Sequence, residues 1–150
     1  MRTFRQLSYV ALVIATAVGA GGEAPAVKVI RPQALTWSSP PNIADLSSAW
    51  VLGAESETGS YALRVKLKAG GRVPAHTHPD TRYSTVLSGT LYVGFSAVPN
   101  ESQMTRVPAG AVYVAPANVT HYLWAKDGPV EYQEAGVGPT GTRIPASRTP

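Results

Sequence analysis

The chain of 150 residues has only three histidines, and their spacing suits a single ion. His76 and His78 are one residue apart and follow the turn Gly70-Gly71-Arg72-Val73-Pro74-Ala75. His121 lies far downstream, in Pro116-Ala117-Asn118-Val119-Thr120-His121. Side chains at i and i+2 of a strand share a face, so His76 and His78 can grip one ion while His121 closes on it from another strand. Imidazole suits zinc, copper, iron and nickel, whereas manganese prefers more oxygen ligands. The chain has no cysteine, which excludes thiolate sites and a disulfide framework. Ser84 and Ser88 have no sequence reason to meet a histidine and an acid, and no glycine-rich phosphate loop is present.

The elements that must position these histidines read as strands. From Ser60 to Lys68 the chain alternates, with Tyr61, Leu63, Val65 and Leu67 on one side and Arg64, Lys66 and Lys68 on the other. Such alternation marks a half-buried strand. Further strands are predicted over Val73–His78, Tyr83–Leu87, Thr90–Phe95, Ala111–Ala115, His121–Ala125 and Val130–Ala135, separated by turns such as Ser88-Gly89 and Asp127-Gly128. Asn42 to Trp50 is read as a short turn of helix. Seven or eight short strands with Gly and Pro punctuation predict an all-β sandwich or barrel.

The ends read differently. Met1 to Arg5 is basic, Tyr9 to Val18 is apolar, and small residues follow up to Gly22. This order predicts a signal peptide over residues 1–20, hence export to the periplasm or outside the cell. The apolar run is too short to span a bilayer, so no stable membrane span is expected after cleavage. Losing Arg2 and Arg5 lowers the formal charge from +4 to +2. The other basic residues are dispersed without an aromatic-basic run, so no nucleic-acid partner is expected. Residues 21–41 read as a linker or N-terminal arm, with Trp37 packing. Residues 139–150 read as a flexible C-terminal tail.

The histidine motifs resemble those of the cupin family. Its first motif runs glycine, five residues, His-x-His, three or four residues, glutamate, six residues, glycine; here these are Gly70, His76, His78, Arg82 in place of the glutamate, and Gly89. Its second motif runs glycine, five residues, Pro-x-Gly, two residues, histidine; here these are Gly110, Pro116, Asn118 in place of glycine, and His121. Asn tolerates the positive φ that such a turn position often needs. The asparagine that often follows the histidine falls at Ala125. The resemblance implies a jelly-roll β-barrel, a double-stranded β-helix, over residues 42–138. It also implies one divalent transition metal held by His76, His78 and His121, with iron, zinc, nickel or copper expected and manganese less suited.

Arg82 decides what such a pocket does, because a guanidinium keeps its charge and cannot be a ligand. Three placements are open at this stage. It can swing out and pair with Asp80 or another acid, leaving a three-histidine metal site. It can hold an anionic ligand that bridges to the metal. Or it can join the histidines in a metal-free anion pocket. Asp80 reads as a turn residue after Pro79, and either Gln133 or Glu134 should face inward. Replacing Arg82 by glutamate is expected to raise metal affinity.

His121 and Leu123 are expected to share a face, and Tyr92, Tyr113, Tyr132 and Leu123 are expected at the pocket, with Arg82 orienting an anionic substrate. Two functions follow. One is a small-molecule metalloenzyme of the oxygenase, isomerase or lyase kind, with a histidine-only site nearest the oxygenases. The other is a non-catalytic binding protein holding a small anionic or phenolic ligand through Arg82 and the histidines. Tyr- and Trp-rich strand edges make a homodimer an expectation.

Overall fold

The computed structural model describes residues 27–145. The signal-peptide reading and the start of the arm lie outside them. Nine strands form two antiparallel sheets. β1 (Leu46–Leu52), β2 (Gly59–Leu67), β4 (Arg82–Ser88), β7 (Val112–Ala115) and β9 (Val130–Gly138) make one sheet, in the order β1-β2-β9-β4-β7. β3 (Arg72–His76), β5 (Thr90–Gly94), β6 (Thr105–Pro108) and β8 (His121–Trp124) make the other, in the order β3-β8-β5-β6. This is the expected all-β jelly roll.

Alternation in each strand sends one set of side chains between the sheets. Val65 and Leu67 of β2, Val86 of β4, Leu91 and Val93 of β5, Leu123 of β8 and Tyr132 of β9 build the core. On the opposite face of β2, Arg64 pairs with Glu131 of β9 at 3.2 Å. Asn118 adopts a φ of 61°, the left-handed turn geometry expected from its place in the second motif.

Two departures from the sequence pattern matter to the site. Asn42 to Trp50 is not a turn of helix: Leu46–Leu52 is β1, paired with β2 in the register Leu46↔Leu67 to Leu52↔Ala62. A helix there would leave the outer edge of β2 with unpaired backbone groups. Within the described part of the tail, residues 139–143 are not loose either. The backbone N–H of Thr140 donates to the Glu55 carbonyl at 2.8 Å, and Thr77 and Arg143 exchange two backbone bonds of 2.9 Å each. The end of the arm is likewise tied down, by the Ser38–Ser48 backbone pair at 2.9 and 2.8 Å. Lys66 lies 4.1 Å from the centre of the half-buried Trp37 ring.

Candidate metal centre

His76 ends β3 directly opposite His121, the first residue of β8. His78 follows two residues on and turns to the same side, as i, i+2 geometry requires. Ring centroids are 4.2 Å apart for His76–His121, 4.8 Å for His76–His78 and 5.1 Å for His78–His121. All three side chains are buried, and one potential ligand atom from each lies within 4.8 Å of the other two.

The hydrogen bonds say which nitrogens these are. His76 Nδ1 lies 2.7 Å from the Pro74 carbonyl, His78 Nδ1 2.7 Å from the Gly141 carbonyl, and His121 Nδ1 3.1 Å from the Val119 carbonyl. A carbonyl only accepts, so each Nδ1 carries the proton and each Nε2 carries a lone pair. The Nε2 atoms of His78 and His121 are buried without a hydrogen-bond partner. Burial, followed by the neighbouring His121, pushes His76 down to about 4. Burial, followed by the charge on Arg82, pushes His78 down to about 3. Burial also lowers His121. Three neutral imidazoles whose free lone pairs gather in one buried place fit a divalent transition metal.

Arg82 opens β4 beside this cluster and is only 4% exposed. Its Nη1 donates to Glu134 Oε2 at 2.5 Å, and its Nη2 donates to Thr140 Oγ1 at 2.8 Å and to the Gly141 carbonyl at 3.2 Å. Its Nε is 3.8 Å from Asp80 Oδ1, too long for a hydrogen bond. Burial opposes the charge on Arg82, but Glu134, Tyr61 and Asp80 outweigh it and hold the guanidinium above its ordinary value. Burial pushes the Glu134 carboxyl up while Arg82 pulls it back. The contact is a charge-assisted bond to a group that keeps its proton, so the pair is ionic.

Arg82 thus pairs with an acid, as in the first of the three placements, but it does not swing out: it stays buried in the barrel. Glu134 is the inward member of the Gln133–Glu134 pair. Asp80 does sit in a bend, yet its carboxylate points inward and accepts from Tyr61 and Thr140 hydroxyls, each at 2.5 Å. Burial and this bond push Tyr61 up to about 12.

A cavity of about 420 Å³ opens beside the cluster. His76, His78, Arg82 and Glu134 form its polar end, and Ile43, Leu46, Leu63, Val65, Val73 and Ile144 line much of the rest. Trp50 and Ser48 of β1, Glu55 on the exposed rim, and Thr140 to Thr142 complete the wall.

Of the residues expected there, Tyr132 lines the cavity, whereas Tyr92, Tyr113 and Leu123 lie elsewhere. Tyr92 alternates with the buried Leu91 and Val93, so it faces outward, where its hydroxyl donates to Asp127 at 2.8 Å. Tyr113 packs in the core, its hydroxyl buried without a partner. Leu123 shares the inward face of β8 with His121 but packs in the core, beside Val73 on β3. Strand parity explains Tyr92. For Tyr113 and Leu123 the direction is inward, but their positions lie in the core rather than at the cavity. The wall residues from β1 and from beyond Gly138 carry little sequence signal, because neither segment has an alternating pattern. The only signal there was a pair of threonines, Thr140 and Thr142.

Comparison with known proteins agrees with this geometry. The cupin domain profile matches residues 63–134. Germin-like protein 8-6 of Oryza sativa subsp. japonica is 46% identical over 67 residues, covering 43% of this chain and 30% of that protein. Germin-like protein 3-1 of the same plant is 32% identical over 82 residues, covering 54% of this chain and 36% of that one. The chain thus spans about a third of the length of these relatives. Among solved structures, KdgF from Halomonas sp. superposes with a TM-score of 0.60 at 16% identity, covering 75% of this chain and 94% of that one. Salicylate 1,2-dioxygenase from Pseudoaminobacter salicylatoxidans superposes with a TM-score of 0.58 at 15% identity, covering 69% and 30%. With both motifs folded onto one buried cluster, residues 63–134 of this chain match a cupin domain.

Proposed function

We propose that this protein is an exported small-molecule metalloenzyme of the oxygenase kind, built on a three-histidine centre. The observation that carries the reading is the convergence of three buried imidazoles, each with Nδ1 committed to a carbonyl, with the Nε2 atoms of His78 and His121 buried without a partner. A divalent transition ion bound there would supply Lewis-acid polarisation of a substrate oxygen or, for iron, nickel or copper, activation of dioxygen. The chain's own residues divide the remaining work. His76, His78 and His121 are the ligands. The aliphatic wall of β1, β2 and β3 receives an apolar body and excludes water. Isomerase or lyase chemistry needs a free acid or base at the substrate. Here Arg82 and Glu134 are spent on each other, Asp80 accepts from Tyr61 and Thr140, and Glu55 stands at the exposed rim.

The anion-binding alternative draws no support from Arg82, whose Nη atoms already serve Glu134, Thr140 and Gly141. Export rests on the N-terminal pattern of basic, apolar and small residues. No helix among the described residues is long and apolar enough to cross a membrane.

The test is metal analysis of protein purified without added metal, followed by dioxygen uptake with small apolar molecules bearing a hydroxyl or carbonyl group. About one transition-metal ion per chain, lost in His121→Ala, is expected. Failure to take up iron, zinc, nickel or copper under any loading condition would overturn the reading.

A further inference from the structure

The three histidines differ in what aims them. His76 and His121 each donate to a carbonyl two residues upstream, Pro74 and Val119, within their own stretch of chain. His78 has no such local partner. Its Nδ1 donates to the Gly141 carbonyl, 63 residues further on, with Thr142 Oγ1 at 3.3 Å as a second neighbour.

That carbonyl is itself held from several sides. Arg82 Nη2 donates to it at 3.2 Å and to the adjacent Thr140 Oγ1 at 2.8 Å, while Thr140 donates to Asp80 at 2.5 Å. The Thr77–Arg143 backbone pair, 2.9 Å in both directions, lays the segment alongside the residue between His76 and His78. The Thr140 N–H is anchored on Glu55.

We infer that residues 139–143 form a strap belonging to the metal centre, whose Gly141 carbonyl sets the tautomer and direction of His78. Arg82, standing where the family's motif has a carboxylate, is the positioning residue that holds that carbonyl. The inference rests on the metal-site reading above. A neutral histidine free of such a partner favours the Nε2–H tautomer, which puts a proton where the ligand lone pair must be. The strap removes that choice for His78. Hydrogen-bond partners of metal-ligating histidines are worth roughly 10- to 100-fold in metal affinity.

The experiment uses ring-nitrogen NMR of metal-free protein at neutral pH, together with zinc affinity by chelator competition. Wild type is expected to show all three histidines as Nδ1–H. In a chain lacking residues 139–150, and in full-length Thr140→Val, His78 alone is expected to shift towards Nε2–H while His76 and His121 hold. Zinc affinity should fall about 10- to 100-fold in both, and Thr140→Ser should restore both readouts. The full-length pair keeps the test available if the shortened chain does not fold. An unchanged His78 tautomer in Thr140→Val, or equal loss of order at all three histidines, would overturn the inference. If the tautomers follow the strap but wild type binds no metal, the metal reading fails and the strap's hold on His78 stands.

Discussion

Arg82 and Glu134 form a buried ion pair diagonally across β4 and β9, with Glu134 opposite Ser84 and Arg82 two residues before it. Both side chains face the barrel interior, so neither charge is relieved by solvent. The pair resolves the conflict of a cation placed next to three metal ligands: the positive charge is matched before any ion arrives.

Removing one partner strands the other. Glu134→Leu leaves a buried guanidinium with Asp80 as its only nearby acid, and should cost about 3–5 kcal/mol in urea unfolding. Arg82→Met combined with Glu134→Leu should recover most of that loss, because an apolar pair replaces an ionic one at similar volume. A single variant no less stable than wild type would show that the pair is not ionised.

Arg82→Glu looked from the motif alone like the restoration of a missing ligand. The structure changes that expectation. The substitution gathers three carboxylates with Asp80 and Glu134 and removes the donor to Gly141, so metal-free protein should lose several kcal/mol of stability. Adding Glu134→Gln removes one of those charges. The double variant, rather than the single one, should gain metal affinity over wild type in chelator competition.

Acid should loosen the metal-free barrel in a defined window. His76 is held at about 4 and His78 at about 3, against an ordinary value of 6.5, so the unfolded chain takes up protons first. The stability these groups contribute is present above 6.5 and is lost as pH falls towards their folded values. The slope is at most about 1.4 kcal/mol per pH unit per histidine. Glu134, whose carboxyl burial raises, works in the opposite sense, so the clean comparison is wild type against His76→Gln. Urea midpoints between pH 7.5 and 5 should fall more steeply for wild type, and saturating zinc should move that fall to lower pH.

How much could be read in advance follows from where the information sits. Alternation from Tyr61 to Leu67 specified β2 because one face meets the core and the other meets water. The motif spacing brings His76, His78 and His121 together because it sets the histidines at the end of β3 and the start of β8, which pair in register. β1 gave no such signal: it has two serines in its first three residues and sits at the sheet edge, where pairing with β2 rather than its own pattern makes it a strand. The strap is harder still, since Thr140 and Gly141 act through a hydroxyl and a backbone carbonyl whose partners lie about 60 residues away. The inward turn of Glu134 is one of two parities: it shares its face of β9 with the buried Val130 and Tyr132, and Arg82 supplies its partner there.

Asn118 offers a test of the second motif's turn. Its φ of 61° is the sole positive value among the described non-glycine residues, and its N–H donates to the His78 carbonyl at 2.7 Å. The turn therefore holds the backbone of one ligand while presenting His121 three residues later. Alanine has no side-chain dipole to ease the left-handed conformation, which costs roughly 1–2 kcal/mol for an ordinary residue. Asn118→Ala should lower the melting temperature and weaken metal binding together, because relaxing the turn pulls the His78 carbonyl and His121 apart. Asn118→Gly, which adopts positive φ freely, should keep metal affinity near wild type. Thermal melts and zinc competition on both variants check this: equal behaviour of alanine and glycine would mean that the asparagine side chain, rather than the backbone angle, is what the site needs.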